Sequence, residues 1–395
     1  MTQSYLKSKT EKLGQMTRIK KESHKTWLDT PALKDKSDPL VVIAMSGGVD
    51  SSVTALKVKE AGYRCEALFI KSWDEEDKTA RCQWEDDVAD ALDVCDKLSI
   101  PINTVDLTED YWDLVFTEFL SEIAQGKTPN PDILCNKEIK FNTFKSKVRE
   151  LGGDILATGH YARISSTNTE LKLQKSKDKH KDQTYFLHSL SQEQLKDVVF
   201  PIGESTKKTV RELANSFGLK NYDKKDSTGI CFIGKKEFRP FLNRYFPSEK
   251  GPIFDTDGQV VGEHHGAIFY TIGQRKGLGI GGKRKKKAEP WYVIDKDLEK
   301  NRLIVGQGRH HPDLYSKSLL ACNVSWITSA PLKFPYFCNA KIRYGQPDQA
   351  CKIEPASEEK LRIVFEAPQR AITPGQSIVF YTEETCLGGA IIEKN

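Results

Sequence analysis

Apolar positions in the first half of the chain come in short runs, at 40–45, 65–70, 102–107 and 155–158, and stretches with helical spacing begin between them near Ser51, Asp86 and Asp110. Runs of this length alternating with helices predict a βαβαβαβ chain. Such a chain folds as a parallel sheet with helices on both faces and binds ligands at the carboxyl ends of its strands. Near residue 240 the pattern changes, and short β-type runs separated by turns replace the helices. PIFDTDGQVVGEH carries Asp257-Gly258, a hairpin signal, and AIFYTIG follows it. From Trp291 onward WYVIDKDLEKNRLIVG, CNAKIRY, KLRIVFE and QSIVFY predict the hairpins and strands of a small closed or sandwiched β domain. No internal repeat is evident. The expected organisation is an extension over 1–38, an α/β domain over 39–237, a small central β-rich domain over 238–288 and a β-barrel-like domain over 289–395.

The 395 residues suffice for two or three domains with cores of their own. Hydrophobic residues make up 38% and charged residues 29% of the chain. No apolar run approaches the roughly 18 residues of a membrane span, so no membrane partner is expected. Residues 1–38 carry nine Lys or Arg against five Asp or Glu, with Arg18 as the single arginine and no apolar stretch long enough for an export signal. They read as a flexible extension of a cytoplasmic protein. A net charge of only +5 means that contact with nucleic acid would rest on local clusters. One such cluster, RKGLGIGGKRKKK, holds seven basic residues and no acid between Arg275 and Lys287. As a pattern alone it is a solvated, glycine-rich loop. Nine cysteines, an odd number without any C-x-x-C, argue against a disulfide scaffold, a zinc knuckle and an iron–sulfur site.

The first apolar run leads straight into AMSGGVDSS, residues 44–52. Gly47 and Gly48 let backbone approach an anion closely, and the helix that follows offers free N–H groups and its positive dipole end. Ser46 and Ser51 can add hydroxyl donors, and the hard carboxylate of Asp50 suits Mg²⁺. An ordinary P-loop continues into Gly-Lys-Ser/Thr, whose lysine reaches the β and γ phosphates. Here the chain continues SSVTALKV without that lysine. SGGVDS resembles the pyrophosphate loop (PP-loop) of the ATP pyrophosphatase superfamily, whose members transfer AMP from ATP to an oxygen of their substrate. On this loop alone the candidates include amidotransferase-type synthetases, argininosuccinate synthase and several RNA thiolases.

Among the cysteines, Cys95 lies on a helical apolar stripe. Cys65, Cys322, Cys338, Cys351 and Cys386 lie in or beside strand-like runs, where a small buried thiol is ordinary, and Cys82 is undetermined. Cys135 and Cys231 stand apart. The two prolines of TPNPDILCN predict a loop for Cys135, ahead of a helix starting near Lys137, and KKDSTGICFIG sets Cys231 in an irregular stretch beside Lys224 and Lys225. Both settings favour thiolate. A persulfide on one thiol and release of its sulfur by the other is one reading of the pair; two unrelated loop cysteines, 96 residues apart, is the other.

SGGVDSSV, TPNPDILCNKEIKF, ATGHYAR, KDQTYFL, KKDSTGICFIG, GQRKGLGIGG, EPWYVIDKD and TPGQSIVFY, in this order, resemble segments of the tRNA-specific 2-thiouridylase family from about Leu40 to the C-terminus. The resemblance implies a PP-loop ATP pyrophosphatase domain that adenylates C2 of uridine 34 in tRNAs for Lys, Glu and Gln and then installs sulfur, using ATP and Mg²⁺. It puts Ala44, Met45, Ser46, Gly47, Gly48, Val49, Asp50 and Ser51 at the ATP phosphates, with Asp50 near the Mg²⁺. Ile70, where most members have Met, lies at the adenine, and Gly159 completes the nucleotide pocket. Cys231 would carry the persulfide, delivered by a sulfur-relay protein or a cysteine desulfurase, and Cys135 would be the nucleophile. Asn130, Pro131 and Asp132 would face the target base. His160, Lys181, Asp182, Gln183, Arg343, Tyr344 and Gln376 map onto tRNA-contacting positions. GQRKGLGIGG matches the family, whereas the KRKKK after it matches no pattern.

Overall fold

The computed structural model describes residues 27–73, 83–167, 170–226, 238–280, 289–328 and 333–394. Cys82, Cys231 and residues 281–287 of the basic run lie outside them. The chain forms two compact units: residues 1–107, 140–184 and 191–226 make the first, and residues 108–139, 185–190 and 227–395 the second.

In the first unit β1 (Leu40–Met45), β2 (Arg64–Lys71), β3 (Ile102–Asp106) and β4 (Ile155–Ala157) fall on the four apolar runs. After a hairpin, β5 (Ala162–Ser166) and β6 (Leu171–Lys175), comes the two-residue β7 (Val198–Val199). The sheet is parallel, in the order β3-β2-β1-β4-β7. Val41, Ile43 and Met45 alternate with Val42 along β1, and all four are buried because helices cover both faces of the sheet. The reversal of strand order beside β1 opens a crevice at its carboxyl end, where AMSGGVDSS lies. Residues 27–38, expected to belong to a flexible extension, include ordered core positions. Trp27 and Leu33 are buried in this unit's core, with the Trp27 ring 6.3 Å from that of Tyr63.

In the second unit β8 (Gly251–Asp255) and β9 (Val260–His264) form the hairpin signalled by Asp257-Gly258. β10 (Trp291–Asp297) and β11 (Arg302–Gln307) join them in the order β10-β11-β8-β9, so this sheet extends across residue 288, where the sequence places a domain boundary. AIFYTIG is no strand: it turns through a 3-10 helix at Ala267–Phe269, since Gly266 at φ +109° breaks the extended path. Six further strands follow: β12 (Tyr315–Trp326), β13 (Tyr336–Lys341), β14 (Gln349–Pro355), β15 (Leu361–Arg370), β16 (Ser377–Thr382) and β17 (Thr385–Ile392). They pair antiparallel in the order β12-β15-β14-β13-β16-β17, and β12 pairs with β17 to close a barrel around Leu319, Ile353, Ile363, Ile378 and Phe380. Among the described residues no helix is long and apolar enough to cross a membrane.

Candidate active site

β1 delivers Ala44 and Met45 to the loop, and Gly48 leads into the helix Val49–Glu60. Gly47 has φ +69°, and a Cβ there would lie 2.1 Å from the Asp87 carbonyl oxygen, so only glycine fits against that wall. A Cβ on Gly48 would meet only the Ser46 hydroxyl, at 3.5 Å, which leaves that side open. Ser51 Oγ donates to Gly48 O at 3.0 Å and lies 3.1 Å from Ser46 Oγ, while Ser52 Oγ donates to the same carbonyl at 2.9 Å. The hydroxyls thus hold the loop's shape, and the first-turn N–H groups of the helix face the opening without intrahelical acceptors. A glycine wall, an open side and a helix N-terminus suit an oxyanion such as the phosphates of ATP. From behind, Asn221 Nδ2 donates to Gly47 O at 3.0 Å and to Ser52 Oγ at 2.9 Å. Lys224, which the sequence suggests as a basic neighbour of Cys231, is paired here with Asp87 and Asp90 and also reaches Gly47 O.

Asp50 sits in a charged network. Its Oδ1 accepts from Tyr161 Oη at 2.8 Å, and Lys207 Nζ lies 2.9 and 2.8 Å from its two oxygens. Lys207 also pairs with Asp226 at 2.7 Å, which Lys181 and Arg211 contact at 2.6 and 3.1 Å. Burial works against ionisation of Asp226, but Lys181 and Lys207 outweigh it and hold the carboxyl down to about 2. Among the described residues no three His, Cys, Asp or Glu gather as a metal cage. A Mg²⁺ here would therefore take most of its ligands from phosphate and water, with the carboxylate of Asp50, within the loop itself, as a protein ligand.

Ile70 is buried near the end of β2, and Gly159 follows β4. His160, 8% exposed, packs against Phe141 and Phe200 with Nδ1 2.7 Å from Thr158 Oγ1, and burial drives its pKa well below the usual imidazole value. Asp182 is buried and accepts from Ser176 N and Thr184 Oγ1. Gln183 exchanges two 2.8 Å hydrogen bonds with the Tyr161 backbone. Lys181, beside Asp182 and Gln183 in the chain, reaches the Asp50 network through Asp226. Tyr161, Lys207 and Asn221 were not singled out from sequence; the signal for Tyr161 was its place within GHYAR.

In the second unit the proline pair does not leave Cys135 on a loop. Pro131 opens a helix, Pro131–Leu134, because its fixed φ and missing N–H cost nothing at a first helical position, and Asn130 Oδ1 caps it by accepting from Asp132 N at 3.1 Å. A π-helical stretch, Cys135–Thr143, continues directly, and the Cys135 side chain is fully buried. Asn136 Nδ2 donates to Phe186 O at 3.1 Å, and the Phe186 ring lies 4.5 Å from that of Tyr344. Arg343 and Tyr344 lie in the turn just after β13 rather than on a strand. Tyr344 is 36% exposed, whereas Arg343 Nη2 donates to Ile272 O, Ala371 O and Thr373 Oγ1 at 3.0 to 3.1 Å and so ties three turns together. Gln376 Nε2 donates to Thr128 O at 2.6 Å, bracing the strap that leads to Asn130.

The sequence matches three family models: a tRNA methyl transferase HUP domain over 39–235, a tRNA methyl transferase PRC-barrel domain over 239–307 and an aminomethyltransferase β-barrel domain over 316–392. It is 50% identical over 366 residues to the tRNA-specific 2-thiouridylase MnmA of Pseudomonas putida (strain GB-1), covering 93% of this chain and 98% of that one. The chain belongs to the tRNA-specific 2-thiouridylase family. This makes it a tRNA sulfurtransferase with a PP-loop ATP-binding domain. A second 2-thiouridylase, MnmA of Legionella pneumophila (strain Paris), is 51% identical over 354 residues, 90% of this chain and 98% of its own. Among solved structures, the U34-tRNA thiolase NcsA from Methanococcus maripaludis is 20% identical, with a TM-score of 0.35, over 57% of this chain and 73% of that one. In this 2-thiouridylase the loop 44–51 and the Asp50 network lie in the first unit, and Asn130 to Cys135, Arg343, Tyr344 and Gln376 in the second.

Proposed function

We propose that the protein adenylates the C2 oxygen of uridine 34 in tRNAs for Lys, Glu and Gln and replaces that oxygen with sulfur. The observation that carries this reading is the loop 46–51, a glycine-walled anion cradle at the end of β1. In the first step O2 of the base attacks the α phosphorus of ATP, pyrophosphate leaves, and C2 gains AMP as a leaving group. Ala44 to Ser51 hold the phosphates, Ile70 and Gly159 border the nucleotide, and Mg²⁺ supplies charge neutralisation when bound with it. A persulfide on Cys231 then delivers sulfur: the Cys135 thiolate attacks the inner sulfur, the disulfide forms, and the sulfide released displaces AMP from C2. Donation of persulfide by a sulfur-relay protein or a cysteine desulfurase starts the cycle, and two thiols as reductant complete it.

Asn130, Pro131 and Asp132 meet the extruded base, with Asn130 also fixing the short helix that leads into Cys135. Tyr344 offers an exposed aromatic face to RNA. His160, Asp182, Gln183, Arg343 and Gln376 serve as tRNA-contacting positions, and Lys181 serves by its charge. Nucleoside mass analysis of tRNA incubated with the protein, ATP, Mg²⁺ and a persulfide source tests this. Wild type forms 2-thiouridine, and Cys231→Ser and Cys135→Ser do not. ATP cleavage to AMP without any thiolated nucleoside would keep the loop's role and reject the substrate.

A further inference from the structure

The phosphate loop lacks a lysine in its own sequence, yet the fold brings one to it. Lys207 is the first residue of the helix Lys207–Ser216 and lies 157 residues beyond Asp50, and its Nζ is 2.8 Å from Asp50 Oδ2. The side chain is 12% exposed and also reaches Asp226. Two features make this contact an exchangeable one. First, Asp50 places a negative charge in the first turn of a helix whose N-terminus is shaped for an anion, so an unneutralised carboxylate there would repel phosphate. Second, Asp226 keeps Lys181 and Arg211 if Lys207 departs, so no carboxylate is stranded behind it. The other lysine at the loop, Lys224, is engaged by Asp87 and Asp90 and contacts backbone rather than a loop side chain.

We propose that Lys207 is the phosphate-binding lysine of this site. In the free protein its ammonium neutralises Asp50; with ATP bound it contacts the β and γ phosphates, and the released Asp50 carboxylate becomes available to Mg²⁺. A lysine from a separate helix thereby does what a P-loop lysine does from within the loop. The inference rests on the ATP use proposed above.

The test is calorimetric affinity of the full chain, with Mg²⁺, for α,β-methylene-ATP and for AMP, in wild type, Lys207→Met, Lys207→Arg and the double variant Asp50→Asn/Lys207→Met. Lys207→Met weakens the triphosphate analogue at least tenfold and AMP less than twofold. Lys207→Arg keeps most of the triphosphate preference. The double variant, which has no stranded carboxylate, stays weak for the triphosphate. Equal losses for both nucleotides, or recovery in the double variant, would show a structural prop or an uncompensated Asp50 and overturn the proposal. If wild type itself binds the triphosphate analogue no better than AMP, the ATP reading falls first; if wild type prefers it and Lys207→Met preserves the preference, only the role of Lys207 falls.

Discussion

Gly159 lies against the peptide that joins Asp50 to Ser51: a Cβ on Gly159 would sit 2.9 Å from both Asp50 C and Ser51 N. These are backbone atoms in the first turn of the phosphate-loop helix, so the contact leaves no flexible end to move aside. Gly159→Ala therefore displaces the loop itself. A shift of about 1 Å at such a site costs on the order of 100-fold in catalysis. The expected outcome is a drop of that size in kcat/KM for ATP with a cooperative unfolding transition retained; unchanged ATP kinetics would show that the loop tolerates the methyl group.

Tyr161 donates its hydroxyl to Asp50 while its ring is buried. Burial and the adjacent carboxylate both push the phenol pKa up, so Tyr161 is a donor at every working pH. A hydrogen bond to a charged group is worth about 1.5–3 kcal/mol. Tyr161→Phe should lose stability of that order in urea titrations, with an unchanged m-value. A variant as stable as wild type would mean that Lys207 alone satisfies Asp50.

Burial holds His188 down to about 4, with Lys137 adding to the effect, and neither ring nitrogen has a hydrogen-bond partner among the described residues. His160 is lowered too, by burial and by Lys140. Both rings are thus neutral when folded and take up protons near pH 6.5 when unfolded. The stability this represents is complete above pH 6.5 and declines as pH falls through 6.5 towards 4. For His188 the full difference amounts to roughly 3 kcal/mol. Denaturant midpoints at pH 7.5 and 5.0 should differ clearly in wild type and less in His188→Leu. Equal pH dependence in the two proteins would remove His188 as a source.

Asn130 has two duties, to cap the helix before Cys135 and, as proposed, to meet the base. Serine can perform the first and not the second. Asn130→Ala should cost about 1 kcal/mol of stability, whereas Asn130→Ser should remain near wild type in stability yet lose thiolation. Full 2-thiouridine formation by the serine variant would leave Asn130 with the cap alone.

In the first unit β1 to β4 were legible as apolar runs, most plainly β1, a parallel strand covered on both faces, whereas the polar hairpin β5–β6 and the two-residue β7 were not. The glycine loop was legible because its function demands small residues in an unbroken string. Pro131 misled because a proline that opens a helix looks, in sequence, like one that forbids it. The carbonyl clamp of Arg343 and the approach of Lys207 to Asp50 were invisible because each joins residues that only tertiary structure brings together. For Cys231 the sequence remains the whole basis of the assignment, since that residue lies outside those described.

The second compact unit takes residues 108–139 and 185–190 from the middle of the chain and its barrel from the end. On the ribosome, the strap at Thr128 emerges 248 residues before Gln376, which braces it, and Tyr185 emerges 192 residues before Ser377, which accepts its hydroxyl. At about 5–20 residues per second, Thr128 waits roughly 12–50 s for its partner. The segment that carries Cys135 is therefore among the last parts of the nascent enzyme to be fixed, so a chain interrupted before residue 376 holds the loop 44–51 without the brace on the Cys135 segment.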